Sequence, residues 1–271
     1  NFFKGKKFFL KKKNILNFNS KKKYDFIILE GVLPGIENPN LNLKHIIKYL
    51  KLGGIVIFTT TSPSSFVSDA LRRSLKPLFE LSGHSKFNSR KKIKNILENQ
   101  FKNLKGQSKN IDNWIDDTVF NPMKNIMYTF EDSLKVLNDR FEYFASSPNF
   151  FFDHTWYKQR NLDNKIYNKK VLDIYKRCCL SFLNSQNNQY SHLYFEDNKK
   201  FIEIDNKSMN IYRSHLKFWF NPSKKNFFKL MNDIQSLSKT IKNKDKKTYL
   251  ALEDFVKFSK KVLDNKVKNS R

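Results

Sequence analysis

The sequence predicts an α/β fold, a partial parallel sheet followed by a helical C-terminal subdomain. Two short, continuous apolar runs flank a segment with helical periodicity, and beyond about residue 160 the apolar residues recur mainly at helical spacing. The length of 271 residues suits one large domain, or a medium domain with an appendage. We therefore predict an α/β domain over residues 1–158 and a mainly helical subdomain over residues 159–271.

The two apolar runs and the segment between them form a strand–helix–strand pattern. Residues 24–30 hold four consecutive apolar side chains, which predicts a strand that is buried on both faces. Apolar residues at i, i+3, i+4 and i+7 then predict a helix over residues 42–51 that stops at Gly53 and Gly54. The second run, residues 55–58, predicts another strand. A helical crossover of this kind joins parallel strands, as in a doubly wound sheet.

Two further elements follow the second strand. Leucines over residues 71–79 predict a helix that is kinked or interrupted near Pro77. Residues 83–106 are basic and weakly periodic, so we interpret them as an insertion with one short helix over residues 92–101.

The remaining chain is predicted to be mostly helical. Thr129 and Asp132 match a loose capping box at the start of one helix. Residues 141–145 are predicted to form a strand and residues 190–204 a hairpin. Amphipathic helical patterns cover residues 171–182, 230–241 and 252–263.

Composition excludes several classes of protein. With 39% hydrophobic, 15% aromatic and 28% charged residues, the chain is too apolar for wholesale disorder and too aromatic for a fibrous repeat. No apolar run is long enough to span a bilayer. The only two cysteines, Cys178 and Cys179, are adjacent and provide neither a disulfide framework nor a CxxC metal motif, and we expect Cys178 in the core. We expect a soluble, cytoplasmic, globular protein without a metal site.

The net charge is +27, from 52 lysine and arginine residues against 25 aspartate and glutamate residues. Lysine and asparagine are dense along the whole chain and there are only 7 glycines, a skew that A+T-rich codons explain. The basic residues are scattered and not interleaved with aromatic ones. We therefore predict nonspecific attraction to polyanions rather than dedicated nucleic-acid recognition.

The carboxyl ends of the two predicted strands are the expected ligand-binding edge, because open parallel sheets bind ligands there. These ends comprise residues 30–34 and 59–64. A carboxylate at Glu30 suits hydroxyl or ammonium groups, and Gly31 lets a ligand approach the backbone closely. The alternative is that Glu30 caps the following turn and binds nothing.

Two segments resemble class I S-adenosylmethionine-dependent methyltransferases. Residues 24–34 (YDFIILEGVLP) are similar to the family's fourth strand, which an aromatic–Asp pair opens. Residues 50–60 (LKLGGIVIFTT) are similar to its Leu-Lys-x-Gly-Gly turn and fifth strand. The resemblance implies a partial Rossmann-like sheet and S-adenosylmethionine as the cofactor, and it covers residues 8 to about 160.

Downstream residues resemble motifs of a bacterial subgroup of this family, over residues 114–117, 121–122 and 146–158. The resemblance implies that Asp117 and His154 are candidate bases or substrate ligands, and that Glu30 aligns the cofactor or the acceptor. The candidate substrate-binding residues are Trp114, Asp153, Trp156 and Tyr157. Alternatively, Asp117 caps a helix, His154 is a solvated loop residue, and the aromatic residues belong to the core.

The sequence departs from the family in its cofactor-binding segments. The seven glycines contain no GxGxG loop, and no acidic residue ends an earlier strand. Asn14 lies where the family has an Asp that accepts a hydrogen bond from the adenine amino group. The resemblance therefore implies Asn14, Glu30 and Gly31 as cofactor contacts. The chain begins with Asn1 rather than Met, and we expect it to be truncated at its N-terminus.

The sequence thus predicts S-adenosylmethionine-dependent methyl transfer to a small molecule or a sugar precursor. The alternative is a noncatalytic basic module that binds RNA or another polyanion on a degenerate methyltransferase scaffold.

Overall fold

The structure is a computed structural model that describes residues 10, 12–104, 106–122, 127–151, 163–184 and 198–269. Contacts divide the chain into two compact units. Unit 1 comprises Asn1–Thr60 and Tyr128–Asn138, and unit 2 comprises Thr61–Met127 and Asp139–Arg271. Across the described ranges, no helix is both long and apolar enough to cross a membrane.

Unit 1 is built around a small parallel sheet. Its two strands are β1 (Tyr24–Leu29) and β2 (Leu50–Phe58), in regular register from Phe26 and Ile55 onwards. Helix α1 (Pro39–Ile46) lies between them in sequence. The order strand, helix, parallel strand is therefore confirmed.

The start of β2 differs from the prediction. The α-helix ends at Ile46, and a 3-10 turn over Ile47–Tyr49 leads directly into the strand. Gly53 and Gly54 consequently lie inside β2 and do not end a helix. The prediction that these glycines end a helix is wrong. Gly53 instead adopts a left-handed φ of 73° in a bulge of the strand.

The predicted burial of the first strand on both faces is also wrong. Phe26 and Ile28 are 62% and 63% exposed, and Ile57 of β2 is 49% exposed. Alternate residues of a strand share a face, so these three side chains lie on one face of the sheet. The described residues leave that face open, whereas Leu29 on the other face is buried.

Helix α5 (Phe130–Leu137) completes unit 1 and begins as predicted. Thr129 Oγ1 accepts a hydrogen bond from the Asp132 backbone N–H at 3.1 Å, and the Asp132 carboxylate accepts one from the Thr129 N–H at 3.3 Å. This capping box satisfies two backbone donors at the helix start. The helix buries Phe130 and Leu137 and contacts α1.

Unit 2 consists of helices and their connecting segments in the part of the chain that the structure describes. Its helices are α2 (Pro63–Leu81), α3 (Lys86–Lys102), α4 (Ile111–Ile115), α6 (Asn164–Arg177), α7 (Cys179–Leu183), α8 (Asn198–Phe220), α9 (Lys224–Ile241) and α10 (Lys246–Asn269). A π-helical turn, Asp116–Phe120, follows α4. The main core lies among α2, α8, α9 and α10, with Phe66, Ile211, Leu230 and Leu252 among its buried side chains. The chain is thus mostly helical, with a small sheet in its N-terminal part.

Two predicted helices of unit 2 are longer than expected. Helix α2 continues through Pro77 to Leu81 without interruption. Helix α3 begins at Lys86, where Ser85 Oγ accepts from the Asn88 N–H at 3.3 Å, rather than near residue 92. Its buried residues Ile93 and Leu97 pack into a second apolar cluster with Leu75, Phe79 and Trp114.

The predicted strand over residues 141–145 does not form. Asn168 Oδ1 accepts from the Tyr143 N–H at 3.1 Å, and Asn168 Nδ2 donates to the Phe141 carbonyl at 2.7 Å. A buried side chain on α6 therefore satisfies this backbone in place of a neighbouring strand.

The predicted hairpin is wrong over residues 198–204, which begin helix α8; residues 190–197 lie outside the described part of the chain. The prediction that Cys178 is in the core is confirmed. Cys179 is buried too, because the helix breaks between α6 and α7. Burial raises the pKa of Cys178 to about 12, and it raises the pKa of Cys179 still further, so both thiols stay protonated at neutral pH.

Candidate functional site

Glu30, Gly31 and Thr59 lie together where β1 and β2 end. The Gly31 N–H donates a hydrogen bond to Thr59 Oγ1 at 2.9 Å, just beyond the last paired residues of the sheet, Leu29 and Phe58. Parallel pairing brings the two carboxyl ends to one edge. This edge is where the sequence places a ligand.

The Glu30 carboxylate is exposed and is not used by the turn that follows it. Backbone bonds close that turn, from the Val32 N–H to the Leu29 carbonyl at 3.3 Å and from the Gly35 N–H to the Val32 carbonyl at 3.0 Å. Within the described ranges, no group donates a hydrogen bond to the Glu30 carboxylate or forms an ion pair with it. The carboxylate is therefore available to a ligand.

Gly31 leaves the backbone accessible beside Glu30. Its φ of 67° lies in the left-handed region, which favours glycine. A Cβ atom at this position would meet no described atom within 4 Å. The space next to the strand end is thus open to a ligand.

Asn14 is held in place by unit 1. Its Oδ1 accepts from the Leu16 N–H at 2.9 Å and so caps the short 3-10 helix Ile15–Asn17. The Phe18 carbonyl that follows accepts from His45 Nε2 at 2.8 Å, so His45 carries a proton on that nitrogen. An amide oxygen has two lone pairs, and the exposed Asn14 can accept a second hydrogen bond.

The two segments that resemble methyltransferase motifs contact each other. Lys51 Nζ lies 3.0 Å from the Asp25 carboxylate on the surface. A Cβ on Gly54 would lie 3.0 Å from both the Asp25 carbonyl oxygen and the Leu50 side chain. The Asp of the first segment and the Lys-x-Gly-Gly of the second therefore fix the approach of β2 to β1. Their role in this structure is to build the sheet.

Asp117 and Trp114 lie in unit 2. Asp117 pairs with Lys109 through its carboxylate and is half-buried in the π-helical turn. Trp114 is only 6% exposed, with its ring centre 5.6 Å from that of Phe101 and the Arg72 guanidinium over its ring at 6.0 Å. Asp153, His154, Trp156 and Tyr157 lie outside the described residues.

Sequence reasoning missed the role of Arg73, which is buried beside Asp117. Its Nη2 donates to the Asp117 carbonyl at 2.9 Å and its Nη1 donates to the Asn121 carbonyl. Burial lowers the pKa of Arg73, while Asp69 acts in the opposite direction. The guanidinium thus satisfies carbonyls at the end of the π-helical turn. A charged residue at an apolar position of a predicted helix is the signal that could have found it.

Sequence reasoning also missed a buried pair, Ser74 and His215. Ser74 Oγ donates its only proton to the Ala70 carbonyl at 2.6 Å, so the contact of 2.9 Å between Ser74 Oγ and His215 Nδ1 requires Nδ1 to be the donor. A general base would have to accept a proton from the serine instead. The pair is therefore structural, and it does not form an activated serine nucleophile.

The described residues contain no group of three or more His, Cys, Asp or Glu side chains that could hold a metal ion. The candidate site lies at the carboxyl edge of the sheet, with Glu30 and Gly31, and Asn14 is a separate candidate of unit 1.

Comparison with known families finds a methyltransferase domain in the N-terminal part of the chain. No curated protein and no solved structure matches the chain. Residues 6–104 match the family model of a methyltransferase domain, and this range contains β1, β2, Asn14, Glu30 and Gly31. The matched segment implies S-adenosylmethionine-dependent methyl transfer by a methyltransferase domain in the N-terminal part of the chain.

Proposed function

We propose that the chain binds S-adenosylmethionine at the carboxyl edge of β1 and β2 and transfers its methyl group to a small molecule or a sugar precursor. The observation that carries the proposal is the Glu30 carboxylate, which has no partner among the described residues, beside the open backbone of Gly31, within the segment that matches the methyltransferase domain.

The residues at this edge fit the chemistry of the cofactor. S-adenosylmethionine supplies an electrophilic methyl group on a positively charged sulfur. The Glu30 carboxylate attracts the sulfonium or ammonium charge, or accepts hydrogen bonds from hydroxyl groups. Gly31 lets the ligand lie against the backbone, and Asn14 Oδ1 accepts from the adenine amino group.

The same edge suits methyl transfer because the reaction is an in-line displacement that depends chiefly on alignment. Glu30 aligns the cofactor or the acceptor. The sequence resemblance alone supports Asp117 and His154 as bases or substrate ligands. It alone also supports Trp114, Asp153, Trp156 and Tyr157 as acceptor contacts.

A calorimetric titration of the 271-residue chain with S-adenosylmethionine tests the role of Glu30. Because the sequence has no GxGxG loop, we expect a dissociation constant on the order of 1 mM. Glu30→Gln should weaken binding about tenfold, since a hydrogen bond to a charged group contributes about 1.5 kcal/mol or more.

Glu37→Gln is the matched control, because Glu37 is another exposed carboxylate of unit 1. It should bind the cofactor like the unchanged protein. Equal affinities for the Glu30→Gln and unchanged chains would remove Glu30 from the site. Micromolar binding by the unchanged chain would contradict the expectation of weak binding.

A further inference from the structure

Seven lysines lie on one surface of unit 2, where α8 and α10 begin and α9 ends. We call this surface the lysine end, and it comprises Lys199, Lys200, Lys239, Lys242, Lys244, Lys246 and Lys247. All are exposed except Lys244, which is half-buried. Lysine and arginine make up 52 of the 271 residues, about one in five, whereas five of the nine residues over 239–247 are lysine. Residues 239–247 are therefore one of the strongly basic stretches of the chain.

The fold brings this end together from three helices. Lys207 Nζ on α8 donates to Thr240 Oγ1 at 2.5 Å, and Thr240 Oγ1 also donates to Glu203 at 3.2 Å. Lys244 Nζ lies 5.4 Å from the centre of the Phe201 ring. The start of α8, the end of α9 and the start of α10 are thus neighbours in space.

The carboxylates at this end are already engaged. Glu203 forms an ion pair with Lys207 at 2.7 Å. Asp245 accepts from the Thr248 N–H at the start of α10 and from Asn184 Nδ2, both at 3.0 Å. In the described part of the chain, no carboxylate pairs with the five lysines 200, 239, 242, 246 and 247. The side chains of these five lysines are exposed, and Lys242 Nζ lies 5.8 Å from the centre of the Tyr249 ring.

The lysines at this end affect the stability of their helices in opposite directions. Lys199 and Lys200 lie in the first turn of α8, and Lys246 and Lys247 lie in the first turn of α10, where neither helix has an acidic residue. The N-terminal end of a helix carries a partial positive charge, so cations there destabilise the helix. These four lysines oppose the stability of their helices, whereas Lys239, in the last turn of α9, stabilises its helix.

We propose that the lysine end binds the phosphate backbone of a nucleic acid. Lysine ammonium groups bind phosphates as point charges, and such interactions are independent of base sequence. An acidic protein surface fits less well, because lysine is depleted from the centres of protein–protein interfaces. The proposal does not depend on methyl transfer, since it uses other residues.

The test compares two variants of the full 271-residue chain. The first changes Lys200, Lys239, Lys242, Lys246 and Lys247 to Gln. The control removes the same charge from other exposed positions of unit 2, by changing Lys86, Lys91, Lys165, Lys169 and Lys225 to Gln. Binding of a labelled oligouridine, a DNA duplex and poly-L-glutamate is measured from roughly 50 to 200 mM salt.

We expect the lysine-end variant to lose at least tenfold more affinity for oligouridine and duplex DNA than the control does. The slope of log affinity against log salt should fall by about 0.7 to 0.9 for each lysine–phosphate ion pair that the variant cannot form. The melting temperature of the lysine-end variant should change little, because the charges removed from the starts of α8 and α10 and the charge removed from the end of α9 act in opposite directions. Equal losses in the two variants would overturn the proposal. Poly-L-glutamate binding as tightly as oligouridine would overturn its assignment to nucleic acid.

Discussion

At the scale of single residues, His215 couples the stability of unit 2 to pH. Its ring is buried and donates to Ser74, with Phe66 and Trp219 as aromatic neighbours. Burial, with a smaller contribution from the charge of Arg73, lowers the pKa of His215 to about 3. An unfolded histidine has a pKa of about 6.5, so acid protonates the unfolded chain first. The contribution of His215 is complete above about pH 6.5 and is lost as the pH falls towards 3.

His215→Asn tests this linkage, because the Asn amide keeps a donor near Nδ1 but does not titrate. Between roughly pH 6.5 and 5, the unfolding free energy of the unchanged chain should fall by about 1.5 to 2 kcal/mol more than that of the variant. Urea unfolding at several pH values measures the difference. Parallel pH profiles would show that His215 does not take up a proton on unfolding.

Ser74 and His215 also show what the sequence could not reveal about single residues. Nothing in their spacing along the chain predicts that a serine on α2 meets a histidine on α8. Glu30 and Gly31 could be predicted as candidates because they directly follow an apolar strand, and that position depends on local sequence alone.

At the scale of elements, the bulge at the start of β2 determines how the sheet forms. A Cβ on Gly54 would lie 3.0 Å from two backbone carbonyl oxygens, those of Asp25 and Lys51. Gly54→Ala should therefore lower the unfolding free energy by about 1 to 3 kcal/mol, the usual range for overpacking. Gly53→Ala should cost about 1 to 2 kcal/mol from its left-handed φ alone.

Gly35→Ala is the matched control for these two changes. A Cβ at Gly35 meets no described atom within 4 Å, and its φ is not positive. We expect its unfolding free energy to stay within about 0.5 kcal/mol of the unchanged chain. Denaturant unfolding of the three variants measures the order, and a Gly54→Ala protein as stable as Gly35→Ala would contradict the described packing.

Elements with a clear period could be predicted, and elements that depend on distant partners could not. The sequence predicts α9 and α10 from the helical spacing of their apolar residues. It predicts β1 and β2 from their continuous apolar runs. Residues 141–145 have a strand-like composition, but Asn168 satisfies their backbone from another helix. In α8, the exposed Ile202 next to the buried Phe201 obscures the helical period of buried residues.

At the scale of the whole molecule, the fold joins two lysine-rich segments that are distant in sequence. Lys199 and Lys200 at the start of α8 lie near the stretch over residues 239–247, which spans the end of α9 and the start of α10. A linear pattern cannot show this clustering, because it depends on which helix ends are neighbours. The exposed apolar face of the sheet could not be predicted either. The residues of β1 and β2 are apolar enough for a buried strand, but whether they are covered depends on which other elements pack against the sheet.

Amide chemical shifts during a titration with S-adenosylmethionine locate the bound cofactor. If the cofactor binds at the carboxyl edge of β1 and β2, the amides of Glu30, Gly31 and Thr59 should shift progressively, and those of the lysine end should not. The Glu30→Gln chain should need about tenfold more ligand for the same shifts. Shifts confined to unit 2, or no shift at the strand ends at millimolar ligand, would contradict the account.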